Sequence, residues 1–194
     1  MAQPFTSEQR DAIRQRLFES ATRHALDTGV RKTSLDALTA DAGISKSSFY
    51  KFFESKEALF LAVAAEWEGQ ILAYGMRALE ESPGTPNKAR AAAFVYAVFE
   101  AIYHHGLARF LRDDLPYLNS IIPDDAAREH CIDSADSIFA ILRRAQITFT
   151  APEDTVLSVI RLLYLSILNI GDLGDAFFPA LRELVAAACD RLVA

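Results

Sequence analysis

Apolar residues recur every three or four positions along most of the chain, which is the periodicity of amphipathic α-helices. The first such segment covers about residues 7–28, and Thr6 and Gln9 before and inside it have the spacing of a capping box. No alternating strand-like run extends beyond the three residues 147–149. The pattern therefore predicts an all-α protein of about nine helices.

Two short helices are predicted next, over about 35–41 and 46–53. Ser34 and Ser45 stand at their N-cap positions, where a hydroxyl accepts a hydrogen bond from the first turn. Gly43 stands where the first of them must end, because glycine adopts the left-handed conformation at little steric cost. Two helices joined by such a turn form a helix-turn-helix. The second begins with hydroxyl and amine donors, which suit phosphates and base edges.

The remaining helices follow from the same periodicity and from the turn residues that interrupt it. A long helix is expected after Ser55, over about 56–80, and the Ser-Pro-Gly-Thr-Pro segment at 82–86 is expected to be a turn inside the helical body. Further helices are expected over about 87–104, 107–114 (closed by Pro116), 124–146, 152–170 and 175–193, with 117–122 as an apolar connector.

Several turn, cap and aromatic positions in the first sixty or so residues agree with one known family at fixed spacings. They are Gly29, Thr33-Ser34, Ala42-Gly43-Ile44-Ser45, Phe49-Tyr50, Phe52-Phe53 and Ser55-Lys56-Glu57-Ala58-Leu59-Phe60. On these residues the chain resembles the TetR family of bacterial transcription regulators. It departs from the family's usual residues at Leu38-Thr39, Ser47 and Phe52.

The resemblance implies an N-terminal three-helix helix-turn-helix DNA-binding domain over 1–55 and a C-terminal helical ligand-binding and dimerisation domain over 56–194. It also implies a palindromic double-stranded DNA operator as partner. Phe49, Phe52 and Phe53 are expected to pack rather than to touch DNA. The residues expected to contact DNA are Thr33, Ser34, Ser45, Lys46, Ser47, Ser48, Tyr50, Lys51 and Lys56; the competing interpretation is a solvated polar surface.

An unidentified small-molecule effector, apolar or aromatic, is the second implied partner. Aromatic residues at helical spacing are usually core, and this alternative stays open for each residue considered. The expected pocket residues are Trp67, Phe94, Phe99, Tyr103, Phe110, Tyr117 and Phe139.

The last two helices carry apolar faces wider than one packed side requires. Either both are simply core, or their outer faces form the isologous four-helix interface of a homodimer, which the resemblance favours. The expected interface residues are Ile160, Leu163, Tyr164, Ile167, Phe177, Leu181, Leu184, Val185 and Ala188.

Charge and cysteine usage restrict the alternatives. The formal net charge is −6, but residues 1–60 carry about +1 and the rest about −7, so the DNA-binding face can be locally positive.

Cys131 and Cys189 stand alone, and the His104-His105 and Asp113-Asp114 pairs lack chelating geometry, so no metal site is expected. Neither a signal segment nor a membrane span is visible, and we expect a cytoplasmic protein.

No motif of an enzyme or of a cofactor site is present: the chain has no GxSxG elbow, phosphate-binding loop, HExxH pair or dinucleotide fingerprint. We therefore expect no enzymatic activity and no cofactor. The sequence favours a ligand-responsive transcription regulator, more specifically a repressor released from its operator by a small molecule. The alternative is an all-helical small-molecule-binding or adaptor protein that has lost DNA binding.

Overall fold

Helices make up nearly all of the computed structural model, which describes residues 5–81, 84–121 and 134–194. This confirms the all-α prediction. The nearest approach to a strand in these residues is an isolated antiparallel bridge between Phe149 and Val193. Within the same residues, none of the helices combines the length and the hydrophobicity that a bilayer crossing requires.

The first three helices are α1 (Ser7–Asp27), α2 (Leu35–Ala42) and α3 (Lys46–Phe49). The capping box of Thr6 and Gln9 is present, because each side chain accepts a hydrogen bond from the other residue's backbone N–H. Gly43 ends α2 with a φ of +67°.

The prediction that α3 extends to about residue 53 is wrong. Beyond Phe49 the chain continues in tight turns, in which the Lys51 N–H donates to the Ser48 carbonyl and the Phe52 N–H to the Phe49 carbonyl. Such i to i−3 hydrogen bonds satisfy the last carbonyls of a helix in a narrower turn. The second helix of the helix-turn-helix is therefore one short turn followed by a compact loop.

Two longer helices follow, α4 (Lys56–Glu80) and α5 (Asn87–His104), with the predicted bounds. The Ser55 hydroxyl caps α4 by accepting the Ala58 N–H at 3.0 Å. Gly75 allows α4 to approach α5 closely, since a Cβ atom built there would lie 2.7 Å from Phe94 Cε2 and 2.8 Å from Val98 Cγ2.

The chain between residues 110 and 120 corrects two predictions. Pro116 does not close a helix, and residues 117–120 of the expected 117–122 connector are helical, while residue 122 lies outside the described residues. A π-helical turn, Phe110–Asp114, leads directly into α6 (Leu115–Ser120), with Pro116 in the first turn of α6. The Leu115 N–H bonds to the Phe110 carbonyl, five residues earlier. This wider turn lets a new α-helical segment begin where the missing N–H of proline is tolerated.

The C-terminal helices are α7 (Ser134–Arg144), α8 (Glu153–Ile167), α9 (Ile170–Leu173), a 3₁₀ turn (Gly174–Ala176) and α10 (Phe177–Leu192). The part of the predicted 124–146 helix before residue 134 lies outside the described residues. The helix predicted to reach residue 170 ends at Ile167, and a separate short helix contains Gly171. The break therefore falls at residues 168 and 169, ahead of the two glycines.

The described residues group into two compact units. The first contains those of Met1–Glu66 and Arg109–Ala127, and the second those of Trp67–Ala108 and Arg128–Ala194. The expected division between residues 55 and 56 stays a prediction. Each unit has its own apolar core, formed in the first by Leu17, Leu38, Phe49, Leu59, Phe60, Phe110 and Leu118, and in the second by Phe94, Phe99, Leu107, Ile167 and Leu181.

Candidate nucleic-acid interface

The helix-turn-helix rests on α1 through an apolar core and a polar cluster that the sequence reading missed. Asp41, near the end of α2, accepts hydrogen bonds from the Ser20 hydroxyl at 2.7 Å and the Arg23 guanidinium at 2.5 Å. His24 Nε2 lies 3.1 Å from the same carboxylate oxygen. The bond from Ser20, with those from Arg23 and His24, lowers the pKa of Asp41. Ser20, Arg23 and His24 share one face of α1. Their i, i+3 and i+4 spacing is the sequence signal from which this cluster could have been predicted.

The start of α3 presents a small cluster of hydroxyl groups. The Ser45 hydroxyl accepts the Ser48 N–H at 3.2 Å and also lies 3.0 Å from the hydroxyls of both Ser47 and Ser48. Ser45 and Ser47 are exposed, and Ser48 is half-buried. Ser34 caps α2 in the same way, accepting the Ala37 N–H at 3.1 Å, and it is also exposed. Three of the predicted serines, Ser45, Ser47 and Ser48, therefore lie together at the start of α3, and Ser34 caps α2 separately.

The cationic and phenolic residues of this region differ in how they are held. Lys46 Nζ forms an ion pair with Asp36 at 2.8 Å, which joins the start of α3 to the first turn of α2. Tyr50 is 60% exposed, with its ring edge-on to Phe49. Lys51 Nζ lies 5.6 Å from the centre of the Phe5 ring. Tyr50 and Lys51 thus project into solvent beside the serine cluster.

Two of the predicted contact residues have internal partners. Thr33 is 3% exposed, and its hydroxyl donates to the Gly29 carbonyl at 2.8 Å. Lys56 Nζ donates to the carbonyls of Val30 at 3.0 Å and Thr33 at 2.8 Å. Both side chains therefore stabilise the loop between α1 and α2. Their DNA contacts stay predictions, and the geometry adds no support to them.

The same loop is held from the other side by the π-helical turn. Asp114 is 4% exposed, and its Oδ1 accepts the Val30 N–H at 3.1 Å. The Arg109 guanidinium bonds to the carbonyls of Ala25 and Leu26 at the end of α1 and lies 3.5 Å from Asp114 Oδ2. These residues are 84 or so positions apart in sequence, and no local pattern could have paired them. They fix the position of the loop that leads into α2.

Aromatic rings close the face between α1 and the end of the helix-turn-helix. Phe49 and Phe53 are buried with ring centres 6.0 Å apart, and Phe53 also packs on Phe18 at 6.0 Å. Phe52 is half-buried against Phe5, again at 6.0 Å. The phenylalanines therefore pack, as expected.

Comparison with known proteins agrees with this geometry. Residues 17–63 match the model of the family described as "Bacterial regulatory proteins, tetR family". Residues 17–63 therefore belong to this family of DNA-binding domains. It is 29% identical over 137 residues to the HTH-type transcriptional activator FasR of Mycolicibacterium smegmatis, covering 70% of this chain and 61% of that protein. It is 31% identical over 97 residues to the HTH-type transcriptional repressor DhaR of Mycobacterium sp. (strain GP1), covering 50% of this chain and 48% of that protein.

The similarity in fold extends beyond residues 17–63, which the family model matches. The crystal structure of the transcriptional regulator FadR from Bacillus subtilis in complex with stearoyl-CoA is similar with a TM-score of 0.65 and 16% identity, over 90% of this chain and 96% of that one. This likeness shows a shared fold over most of the chain, including residues of the second unit. In the sequence comparisons the chain spans about half to three fifths of the length of the curated relatives just named.

The aromatic residues expected to line an effector pocket are divided between the two units. Phe110 and Tyr117 belong to the first unit and the other five to the second. Phe94, Phe99 and Phe139 are buried, and Tyr103 is exposed. The second unit instead has a narrow apolar cavity between α5, α7, α8 and α10 that none of the expected aromatics lines. It is bordered by Ala91, Val95, Leu142, Phe149, Val156, Val159, Ile160, Leu163, Val185, Ala188, Cys189, Leu192 and Val193.

Most of the residues expected at a dimer interface are buried or half-buried within the single chain. Ile160, Ile167, Phe177, Leu181 and Val185 are buried within the single chain, while Leu163, Tyr164 and Ala188 are half-buried. Burial, with the nearby carboxylate of Glu68, raises the pKa of Tyr164 to about 12. The large apolar side chains that α8 and α10 expose are Leu162 at 66%, Leu165 at 53% and Leu184 at 58%. Of the expected set, Leu184 alone belongs to this exposed group.

Proposed function

We propose that the protein is a sequence-specific, DNA-binding transcription regulator that binds a palindromic operator as a homodimer and is released by a small-molecule effector. The observation that carries this proposal is an exposed hydroxyl and amine surface along α3 and the turn after it. Ser45 and Ser47 lie at the start of α3, and Tyr50 and Lys51 directly follow its end. A surface of short donors at the N-terminal end of a recognition helix suits phosphate and base-edge contacts in the major groove.

Selection of bound duplexes from a random DNA pool tests the proposal directly. A two-fold dimer should enrich a palindrome whose half-sites are separated by one or more helical turns, about 34 Å each. Absence of any enrichment at low salt would contradict the proposal and favour the all-helical small-molecule-binding or adaptor protein that has lost DNA binding.

Substitution of Lys46 and of Lys51 by alanine tests whether these two residues contact DNA. Lys51→Ala removes a cation without an ion-pair partner in the described residues, and should weaken binding to all duplexes and reduce the salt slope by about one. Lys46→Ala should have a smaller effect on the slope, because Asp36 already offsets its charge at 2.8 Å. Equal affinities and slopes for wild type and both variants would exclude these residues from the contact set.

A homodimer is proposed because α8 and α10 contact one another and each exposes large apolar side chains. Two-fold symmetry would let both copies bury the same face in an isologous interface. Leu162→Glu and Leu184→Glu place charges on this face and should convert the dimer to a monomer in analytical ultracentrifugation. Leu173→Glu, at a leucine of α9 that is 56% exposed, serves as the matched control. A wild-type monomer at micromolar concentration would refute this part of the proposal.

The effector is proposed to be apolar or aromatic and to act by shifting a conformational equilibrium. A ligand can shift it only by as much as its affinity differs between the DNA-binding and the released conformation. A coupling free energy of about 1–3 kcal/mol would change operator affinity roughly 5- to 150-fold. Repression is the proposed sense: a reporter downstream of the selected operator should fall when the protein is produced and recover when the effector is added.

A further inference from the structure

Three exposed cations, Arg10, Arg14 and Lys51, lie over aromatic rings beside α3. Two of them, Arg10 and Arg14, are not among the predicted DNA contacts given above. Lys51 Nζ is 5.6 Å from the centre of the Phe5 ring, and the Arg10 guanidinium carbon is 5.4 Å from that of Phe52. The Arg14 guanidinium carbon is 5.0 Å from the centre of the Phe53 ring. Contacts between Phe5 and Phe52, and from Phe53 to Phe49, make the group continuous with α3. We call Phe5, Arg10, Arg14, Lys51, Phe52 and Phe53 the aromatic–cation cluster.

The aromatic rings hold these cations without neutralising them. A cation over the face of an aromatic ring is attracted by the ring's electrons and keeps its full charge. Within residues 5–81, 84–121 and 134–194, none of the three cations of the cluster forms an ion pair, whereas Arg23 is paired with Asp41 and Lys46 with Asp36. Three charges of the first unit that have no ion-pair partner in these residues thus lie together beside α3.

The spacing of the two arginines adds to this argument. Arg10 and Arg14 are four residues apart on α1 and so lie on the same helix face, separated by about 6 Å of helix rise. Like charges at this spacing repel each other and destabilise an isolated helix. No acidic side chain of the described chain offsets this repulsion by an ion pair. A polyanion would remove the cost, since phosphates recur about every 3.4 Å of axis along one DNA strand.

We propose that the aromatic–cation cluster is a second phosphate-contacting surface, which binds the DNA backbone next to the bases that α3 reads. The inference rests on the proposed function, because it presupposes a duplex bound at α3. Lys51 belongs to both surfaces and joins them. Since phosphate contacts carry no sequence information of their own, the cluster sets affinity and register and leaves base preference to α3.

The test is the salt dependence of operator binding for the double variant Arg10→Gln, Arg14→Gln. Each lost phosphate contact should reduce the slope of log K against log salt by about 0.9, so the pair should reduce it by about 1.8. Affinity should fall by the same factor for the operator and for an unrelated duplex, and the selected consensus should not change. The charge-conserving variant Arg10→Lys, Arg14→Lys should keep the wild-type slope.

Arg77→Gln is the matched control. It removes one positive charge and one cation–π contact, 5.8 Å from the centre of the Tyr74 ring, but lies in the second unit. Its slope should equal that of wild type. If the double variant melts at a lower temperature, the single variant Arg10→Gln should still reduce the slope by about 0.9.

The outcomes separate the two proposals. A wild-type protein that binds no duplex refutes the proposed function, and the second surface with it. A wild-type protein that binds its operator, combined with an unchanged slope in the glutamine variants, refutes the second surface alone. A slope reduced equally by Arg77→Gln also refutes it, because the effect would then follow from net charge rather than from place.

Discussion

The contact of α4 with α5 at Gly75 gives a prediction whose size can be worked from the structure. A methyl group at Gly75 would lie 2.7–2.8 Å from carbons of Phe94 and Val98, where carbon–carbon contacts are favourable at about 3.5–4.0 Å. Both neighbours are buried, at 0% and 2% exposure, so they have little room to move. Overpacking of this kind costs about 1–3 kcal/mol. The gain in helix propensity from glycine to alanine, about 1 kcal/mol, opposes it.

Gly69 on the same helix supplies the matched control, because a Cβ there meets nothing within 4 Å. Gly69→Ala should stabilise the protein by up to about 1 kcal/mol through propensity alone. The propensity gain is common to both variants, so Gly75→Ala should be less stable than Gly69→Ala by the overpacking cost of about 1–3 kcal/mol.

Urea unfolding, followed by the fluorescence of Trp67, measures this difference, since the chain's one tryptophan lies on α4 in the second unit. All proteins should be compared at one concentration, because dimerisation would shift apparent stability. A Gly75→Ala protein as stable as Gly69→Ala would refute the close approach of α4 and α5.

Three further predictions concern the first unit. Asp114→Ala should lower the free energy of unfolding by about 1.5–3 kcal/mol in thermal unfolding, because it removes the charged acceptor of the Val30 N–H. Asp114→Asn keeps an acceptor and should lose less stability. Equal losses in the two variants would contradict this hydrogen bond. Ser45→Ala should remove the α3 cap, cost about 1 kcal/mol and speed exchange of the Ser48 amide proton; unchanged exchange would contradict the cap. The pKa of Asp41 is lower in the folded protein than in the unfolded chain, where it is near 4, so the ionised carboxylate stabilises the fold above about pH 4. This stabilisation is lost as pH falls through the folded pKa, and the stability advantage of wild type over Asp41→Asn should therefore shrink below about pH 4. An advantage that grew at lower pH would contradict this assignment.

Local patterns predicted the helix starts well because an N-cap is a local event. The Thr6, Ser34, Ser45 and Ser55 hydroxyls each accept a backbone hydrogen bond at their predicted places. Helix ends were predicted less well, since α3 tightens after Phe49 and no glycine or proline marks the change. The π-helical turn before Pro116 was missed for a related reason: a wider turn leaves no signature in the periodicity, and proline alone suggested an end.

Burial separates the residues of the second unit's apolar helices in a way that the sequence pattern cannot. An apolar helix with two buried sides shows a wide stripe, and the stripe does not tell which residues face the chain's own core. Ile167 and Leu181 are buried, whereas Leu162 and Leu165, on the same stretch as Ile160 and Leu163, are exposed. The stripe identified the two helices, and only the packing distinguishes their inner from their outer residues.

The ion pairs of the first unit show why the residues that attract DNA are hard to predict from sequence alone. Every lysine and arginine in a sequence window counts equally, yet in the folded first unit Lys46 is offset by Asp36 and Lys56 is bonded to two backbone carbonyls. Arg10 and Arg14, outside the window of the helix-turn-helix, keep their charges exposed over aromatic rings. Because a polyanion attracts uncompensated charge rather than residue type, the basic footprint of this head should extend from α3 onto α1.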